Sequence, residues 1–255
     1  MDSHELKNFL DEKYNQYNCT NFIETDPISI PHQFAGNEDI EIAAFLSATI
    51  AWGQRTTIIR NANRMMQLMD GQPYLFLTQT PVNDPTRFES FVHRTFNGID
   101  CNYFMNALSA IYREGGGLEK LFTEGYSIDG TVKTAITYFR EQFLSFGPQH
   151  RTGKHIANPS TGSSAKRINM FLRWMVRPAN CGVDFGIWNS IPVAALMMPL
   201  DVHSGNVARK LGLLHRSQND WLAVEELTDN LRLFDPSDPV KYDFALFGLG
   251  AFEKF

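Results

Sequence analysis

Apolar residues recur at helical spacing along most of the chain, and this periodicity predicts an all-α protein. Alternating runs of β-branched residues, which are typical of strands, are missing. We expect about nine or ten helices with short connections. The clearest of them are predicted at about 38–52, 56–69, 102–113, 129–146, 163–176, 201–210 and 219–231, with a last helix after the turn at 235–239.

Composition narrows the classes of protein to which the chain can belong. The 255 residues are 43% hydrophobic and 20% charged, which is ordinary for a globular protein. No apolar run reaches the roughly 18 residues that span a bilayer, and the polar N-terminus lacks the features of a secretion signal. The three cysteines, Cys19, Cys101 and Cys181, are scattered and include no closely spaced pair. This pattern favours reduced thiols in a cytoplasmic protein without membrane association.

The formal net charge is −5, but the charges are unevenly distributed. Residues 142–183 contain no Asp or Glu, yet they carry six of the 23 Lys and Arg residues together with His150 and His155. A local positive surface on an acidic protein can attract a polyanion such as nucleic acid. The alternative is that these cations only offset acidic neighbours in the folded protein.

The segment with the most chemical information is 199–213, which reads PLDVHSGNVARKLGL. Asp201 stands where a helix is predicted to begin, so its carboxylate can accept hydrogen bonds from free backbone N–H groups. A carboxylate held in this way can stabilise positive charge on a sugar, or it can activate an amine or water. The alternative is a purely structural helix cap. Asp201 and His203 could also suggest two metal ligands, but no third ligand has a diagnostic spacing, and we expect no metal and no cofactor.

This segment resembles the one that carries the catalytic Asp of helix-hairpin-helix DNA glycosylases. Two further segments resemble helices of that fold: EIAAFLSATI at 41–50 and DPVKYDFALFGLG at 238–250. The whole chain is similar to an uncharacterised bacterial family of unknown function related to these enzymes, and among them the archaeal 8-oxoguanine glycosylases have a similarly long spacing. The resemblance implies two helical lobes with a cleft between them. The terminal helices would pack together, and about 55–200 would form the second lobe of a single bilobal domain, 1–255.

The resemblance also makes Lys166 the candidate nucleophile. Bifunctional members of the superfamily carry a Lys in the second helix of the hairpin, and it attacks C1′ of the damaged nucleotide to form a Schiff base. Here that helix reads GSSAKRINMFLRW at 162–174, and Lys166 precedes Asp201 by 35 residues. Lys166, Arg173 and Arg177 share one helical face, so the arginines could neutralise phosphates. The alternative is a solvated basic face.

The turn of the hairpin, NPSTGSS at 158–164, has one glycine and four hydroxyl side chains instead of the usual Gly-x-Gly. Its backbone could still form an anion nest capped by Ser163 or Ser164. Gln54 and Arg55 follow the early helix, where glycosylases place residues that probe the duplex, although they could also be ordinary exposed loop residues. Aromatic side chains could stack on an extruded base or simply pack in the core.

We therefore predict a DNA glycosylase, with or without lyase activity, that excises a damaged base such as an oxidised one. Lys166 and Asp201 are the predicted catalytic residues. The predicted DNA-binding residues are Arg151, Lys154, Ser163, Ser164, Arg167, Arg173, Arg177, His203, Gln54 and Arg55, and the predicted base-stacking residues are Trp52, Trp188 and Phe185. The expected partner is damaged duplex DNA, bound by a monomer. The alternatives are a non-catalytic DNA- or RNA-binding protein of the same fold, and a helical protein with no nucleic-acid role.

Overall fold

The structure is a computed structural model that describes residues 2–79, 86–147 and 151–255. The basic residue His150 lies outside these ranges. The described residues form an all-α protein with a single two-stranded hairpin, β1 (Val92–His93) and β2 (Phe96–Asn97). The α-helices are α1 (Ser3–Tyr17), α2 (Asn37–Thr49), α3 (Arg55–Leu68), α4 (Pro73–Gln79), α5 (Gly98–Ala110), α6 (Gly117–Asp129), α7 (Val132–Leu144), α8 (Lys166–Val176), α9 (Val202–Lys210), α10 (Trp221–Arg232) and α11 (Tyr242–Ala251).

The chain divides into two compact units. The terminal unit comprises the chain up to Phe22 together with Asn158–Phe255, and the middle unit is Ile23–Ala157. The middle unit therefore both begins and ends earlier than the second lobe predicted at about 55–200. The segment after Ala157 joins the terminal segments because the helix that it carries, α8, is buried among elements of that unit.

The middle unit is built around α2, ten of whose residues are buried. Phe45 of α2 packs against Phe104, Phe139 and Phe143, with ring centroids 5.5–5.9 Å apart. The buried carboxylate of Glu41 accepts hydrogen bonds from the backbone N–H groups of Leu118 and Glu119, both at 3.1 Å. These donors lie in the first turn of α6 and have no partner within their own helix, so α2 supplies the cap that α6 lacks.

The terminal unit is organised around α8 and α11. Every residue of α8 from Ile168 to Val176 is buried, whereas the periodicity predicted one apolar face and one basic face. Both α1 and α9 pack on α11. Gly248 and Gly250 of α11 permit these contacts, because a Cβ atom at Gly248 would overlap the ring of Tyr17 and one at Gly250 would lie 3.1 Å from the carbonyl oxygen of His203.

Several elements were not predicted from the periodicity. Helix α1 buries only Leu6 and Leu10, so its apolar pattern is weak. Three glycines at 115–117 follow the helix predicted at about 102–113, and the next helix, α6, begins among them. Gly116 and Gly117 take φ values of 85° and 92°, a left-handed conformation natural to glycine. Within the described ranges, no helix is both long and apolar enough to cross a membrane.

Replacing Gly248 by Ala is expected to destabilise the protein by about 1–3 kcal/mol, because the added methyl group would displace the Tyr17 ring and overpack the α1–α11 contact. Gly115→Ala is the matched control, since no atom lies within 4 Å of its added Cβ. Urea unfolding of both variants measures the effect. Equal stabilities would show that α1 does not pack closely on α11.

Candidate active site

Asp201 is the N-cap of α9, as the sequence predicted. Its Oδ1 accepts hydrogen bonds from the backbone N–H groups of His203 at 2.8 Å and Ser204 at 3.0 Å, and from the Ser204 hydroxyl at 3.2 Å. The Ser204 Oγ in turn accepts a hydrogen bond from the Asp201 N–H at 3.0 Å, which completes a capping box. These bonds fix the orientation of the carboxylate and bring its other oxygen, Oδ2, towards α8.

Lys166 is the first residue of α8, and its Nζ lies 3.7 Å from Asp201 Oδ2. The same Nζ is 3.8 Å from the sulfur of Met170, one helical turn further on. The side chains of Lys166 and Asp201 are each 25% exposed. Two groups 35 residues apart in the sequence thus form a partly accessible amine–carboxylate pair, which is an arrangement suited to nucleophilic or acid–base chemistry.

The backbone immediately before Lys166 is strained. Ala165 precedes α8 with φ 48° and ψ 34°, a left-handed conformation that alanine rarely adopts. Its N–H donates to Ser163 Oγ at 3.2 Å, and the Ser164 carbonyl accepts from Asn169 Nδ2 at 3.1 Å. Neither serine side chain caps α8, and Ser163 is exposed whereas Ser164 is half-buried. Strained residues of this kind cluster at functional sites, where the surrounding structure holds them.

The prediction that Arg173 and Arg177 contact phosphates is wrong, because both side chains are buried in ion pairs. Asp184 joins them, with Oδ1 3.2 Å from Arg173 Nε and Oδ2 3.0 Å from Arg177 Nη1. Arg177 Nε also pairs with Asp238 at 2.8 Å, and Arg173 Nη1 pairs with Asp243. The acidic partners of Arg173 and Arg177 are therefore supplied by residues that follow the segment 142–183 in the sequence.

Asp243 links this ionic cluster to the Lys166–Asp201 pair. It lies on α11, contacts Arg173, and interacts electrostatically with both Lys166 and Asp201. Burial raises the pKa of Asp243 to about 6, and the positive charges of Arg173 and Lys166 oppose this shift. The sequence contained a usable signal for Asp243, since it is an acidic residue inside the apolar run 242–249.

The other predicted residues of the terminal unit differ in exposure. Trp188 is buried and packs edge-on against Phe171 with ring centroids 5.3 Å apart, so it is a core residue and not the predicted stacking platform. Phe185 is half-buried, and its N–H donates to the Trp174 carbonyl at 2.8 Å. His203 is exposed on α9. Arg167 is half-buried, and burial lowers its pKa to about 10.

The remaining predicted residues belong to the middle unit. Arg151, Lys154 and Gln54 are exposed, whereas Arg55 and Trp52 are half-buried. Arg151 is tied to the β1–β2 hairpin by a hydrogen bond from Nη2 to the Thr95 carbonyl at 3.2 Å. The structure thus brings Lys166 and Asp201 together, and the predicted DNA-binding residues are distributed over both units.

Within residues 2–79, 86–147 and 151–255, no three His, Cys, Asp or Glu side chains are placed to hold a metal ion. The family described as "Protein of unknown function (DUF2400)" matches residues 26–252 of the chain. No curated protein and no solved structure matches the chain.

The raised pKa of Asp243 predicts a pH dependence of stability. The unfolded carboxyl titrates near 3.8 and the folded one near 6, so between these values the folded state binds the extra proton. The free energy of unfolding should therefore fall as the pH rises from 4 to 7, by about 1–3 kcal/mol, and Asp243→Asn should remove this component.

Urea unfolding of the wild type and of Asp243→Asn at pH 4, 5, 6 and 7 measures this pH dependence of the free energy of unfolding. Asp220→Asn is the control: a hydrogen bond from Arg216 lowers the pKa of Asp220 to about 2. The stability that the ionised Asp220 carboxylate contributes is therefore constant above pH 4 and is lost only as the pH falls towards 2. A stability difference between the wild type and Asp243→Asn that does not vary with pH would contradict the assignment.

Proposed function

The chain belongs to the family described as protein of unknown function (DUF2400), and we propose that it is a DNA glycosylase that excises a damaged base. The observation that carries the proposal is the 3.7 Å separation between Lys166 Nζ and Asp201 Oδ2, in side chains that both remain partly exposed. An amine and a carboxylate at this distance can exchange a proton, and both can be reached by a substrate.

In the proposed reaction the neutral amine of Lys166 attacks C1′ of the damaged nucleotide. A C1′–Nζ bond forms while the C1′–N bond to the base breaks, and the base leaves with the bonding electrons and takes up a proton. Asp201 Oδ2 is the oxygen in reach to accept the proton that Nζ gives up. The Nζ lone pair then forms the C1′=Nζ double bond of a Schiff base while the C1′–O4′ bond breaks, and O4′ keeps the bonding electrons and takes up a proton. Strand cleavage can follow from this opened sugar.

Asp201 has a second role in this reaction. The sugar acquires positive charge as the base departs, and a fixed carboxylate next to C1′ stabilises that charge. The three hydrogen bonds to Oδ1 hold the carboxylate in place, so it does not need to reorganise during the reaction. The hydrogen bonds that cap α9 therefore also support catalysis in this proposal.

The proposal includes a helix-hairpin-helix glycosylase fold, damaged duplex DNA as the partner of a monomer, and a cytoplasmic location. The helix-hairpin-helix fold is supported by the tight turn that directly precedes the proposed nucleophile, which consists of the short helix Pro159–Thr161 and the left-handed Ala165. The location is supported by Cys19, Cys101 and Cys181, all of which are free thiols.

Borohydride trapping with a panel of lesion-containing duplexes tests the proposal. The wild type should form a covalent adduct with at least one lesion, and Lys166→Ala should form none. Asp201→Asn should slow base release by about 10²- to 10⁴-fold, which is the usual contribution of acid–base catalysis. Lys210→Ala is the control, because this exposed lysine lies in the same unit at the far end of α9 and should leave trapping unchanged.

Two other outcomes would revise the proposal. Base release that persists in Lys166→Ala without an adduct would make the enzyme monofunctional, with Asp201 activating water. If DNA binding survives both Lys166→Ala and Asp201→Asn and no substrate releases a base, the protein binds nucleic acid without catalysis. Failure of the wild type to bind DNA at low salt would reject a nucleic-acid function.

A further inference from the structure

Trp52 differs from the other tryptophans of the chain. Trp174, Trp188 and Trp221 are all buried, whereas Trp52 is half-buried on the middle unit. Its ring lies nearly parallel to the ring of His155, with centroids 5.9 Å apart, and edge-on to the ring of His93 at 4.9 Å. The indole is thus held on two sides while part of it remains accessible.

The two histidines are themselves held in place. His93 Nδ1 lies 2.9 Å from Asn61 Nδ2, and His93 Nε2 lies 3.1 Å from the Trp52 carbonyl oxygen. Both ring nitrogens of His93 therefore have a polar partner. His155 Nε2 lies 3.3 Å from the buried carboxylate of Asp100. The aromatic platform is therefore rigid, which lowers the entropy cost of stacking a ligand on it.

Two arginines lie near this platform, and Lys154 adjoins it in the sequence. Arg94 lies at the tip of the β1–β2 hairpin, and its Nη1 would be 3.0 Å from a Cβ atom at Gly53, the residue that follows Trp52. Arg151 is bonded to Thr95 of the same tip, and Lys154 is the neighbour of His155. Arg94 and Lys154 are exposed and make no ion pair within the described part of the chain. We call Trp52, Arg94, Arg151 and Lys154 the Trp52 surface.

The backbone of Arg94 has a conformation that is unusual for arginine. Arg94 has φ 54°, in the left-handed region, where a hairpin turn ordinarily has Gly, Asn or Asp. An arginine in this position is strained, and its side chain makes no hydrogen bond or ion pair within the described residues that would compensate. Residues with a strained backbone cluster at ligand-binding sites, so the conformation of Arg94 supports a role in binding.

The exposed charges of the Trp52 surface are positive, which favours an anionic ligand. Asp100, the carboxylate that pairs with Arg151, is fully buried and is also shared by His155 and Thr152. The exposed part of the surface is therefore positive although the whole chain has a net charge of −5. Cations around an accessible aromatic ring are the arrangement that binds the phosphates of a nucleic-acid strand beside an unstacked base.

We infer that the Trp52 surface binds a DNA strand, with Arg94, Arg151 and Lys154 contacting phosphates and Trp52 stacking on an unpaired base. The inference rests on the proposed function in taking DNA as the polymer, but it does not involve Lys166 or Asp201. It adds Arg94 and the β1–β2 hairpin, which the sequence did not indicate, to the residues that contact DNA.

Trp52 fluorescence gives a direct readout, because the other three tryptophans are buried. A short single-stranded thymidine oligonucleotide should quench the wild-type fluorescence in a saturable, salt-dependent manner. Trp52→Phe should remove the quenching. Arg94→Gly should weaken binding and lower the slope of log affinity against log salt by about 0.7, the value for one lost phosphate contact on a single strand. Because glycine relieves the strain, the unfolding midpoint of Arg94→Gly should be unchanged or higher.

The controls separate this inference from the proposed catalysis. Arg94→Lys keeps the charge and should retain binding, and Lys120→Ala removes an exposed charge of the same unit and should bind like the wild type. Lys166→Ala should lose borohydride trapping and keep the quenching. The inference is overturned if Arg94→Gly binds DNA as the wild type does, if it unfolds more easily, or if a uridine RNA oligonucleotide binds more tightly than DNA.

Discussion

The two carboxylate oxygens of Asp201 bind different partners, and the geometry of the candidate site depends on this division. Oδ1 accepts hydrogen bonds from the first turn of α9, so the position of that helix sets the direction of the carboxylate. Oδ2 is left to face Lys166 Nζ at 3.7 Å. One side chain thus both caps α9 and forms an amine–carboxylate pair with Lys166. Any displacement of α9 relative to α8 would separate the amine from the carboxylate.

The position of α8 relative to α9 depends in turn on buried charges. Arg173 and Arg177 extend from α8 to Asp184, Asp238 and Asp243, and the guanidinium of Arg173 lies 4.2 Å from the centroid of the Phe244 ring. Removing one member of such a cluster leaves an uncompensated buried charge, which typically costs about 3–5 kcal/mol. Since Asp243 is on α11 and α9 packs on α11, the cluster connects all three helices that position the site.

Sequence reasoning predicted the helical class and selected Lys166 and Asp201, which lie close together in the structure, but it did not predict the residues around them. Asp201 was predictable because an N-cap Asp leaves a local signature, and Lys166 because the resemblance to glycosylases points to its helix. The burial of Arg173 and Arg177 was not predictable, because their partners at 184, 238 and 243 are identified only when the chain has folded. The β1–β2 hairpin and the left-handed turn at Arg94 were not predicted for another reason. A strand of two residues is too short to show periodicity, and Arg is not a residue that signals a left-handed turn.

We propose that Lys166 and Asp201 act as one catalytic unit. A double-mutant cycle on the single-turnover rate of base release, with Lys166→Ala, Asp201→Asn and the double variant, measures whether they do. If the two side chains act together, the double variant is no slower than the slower single variant. If the two rate losses multiply, the residues act independently and the account of the site is wrong.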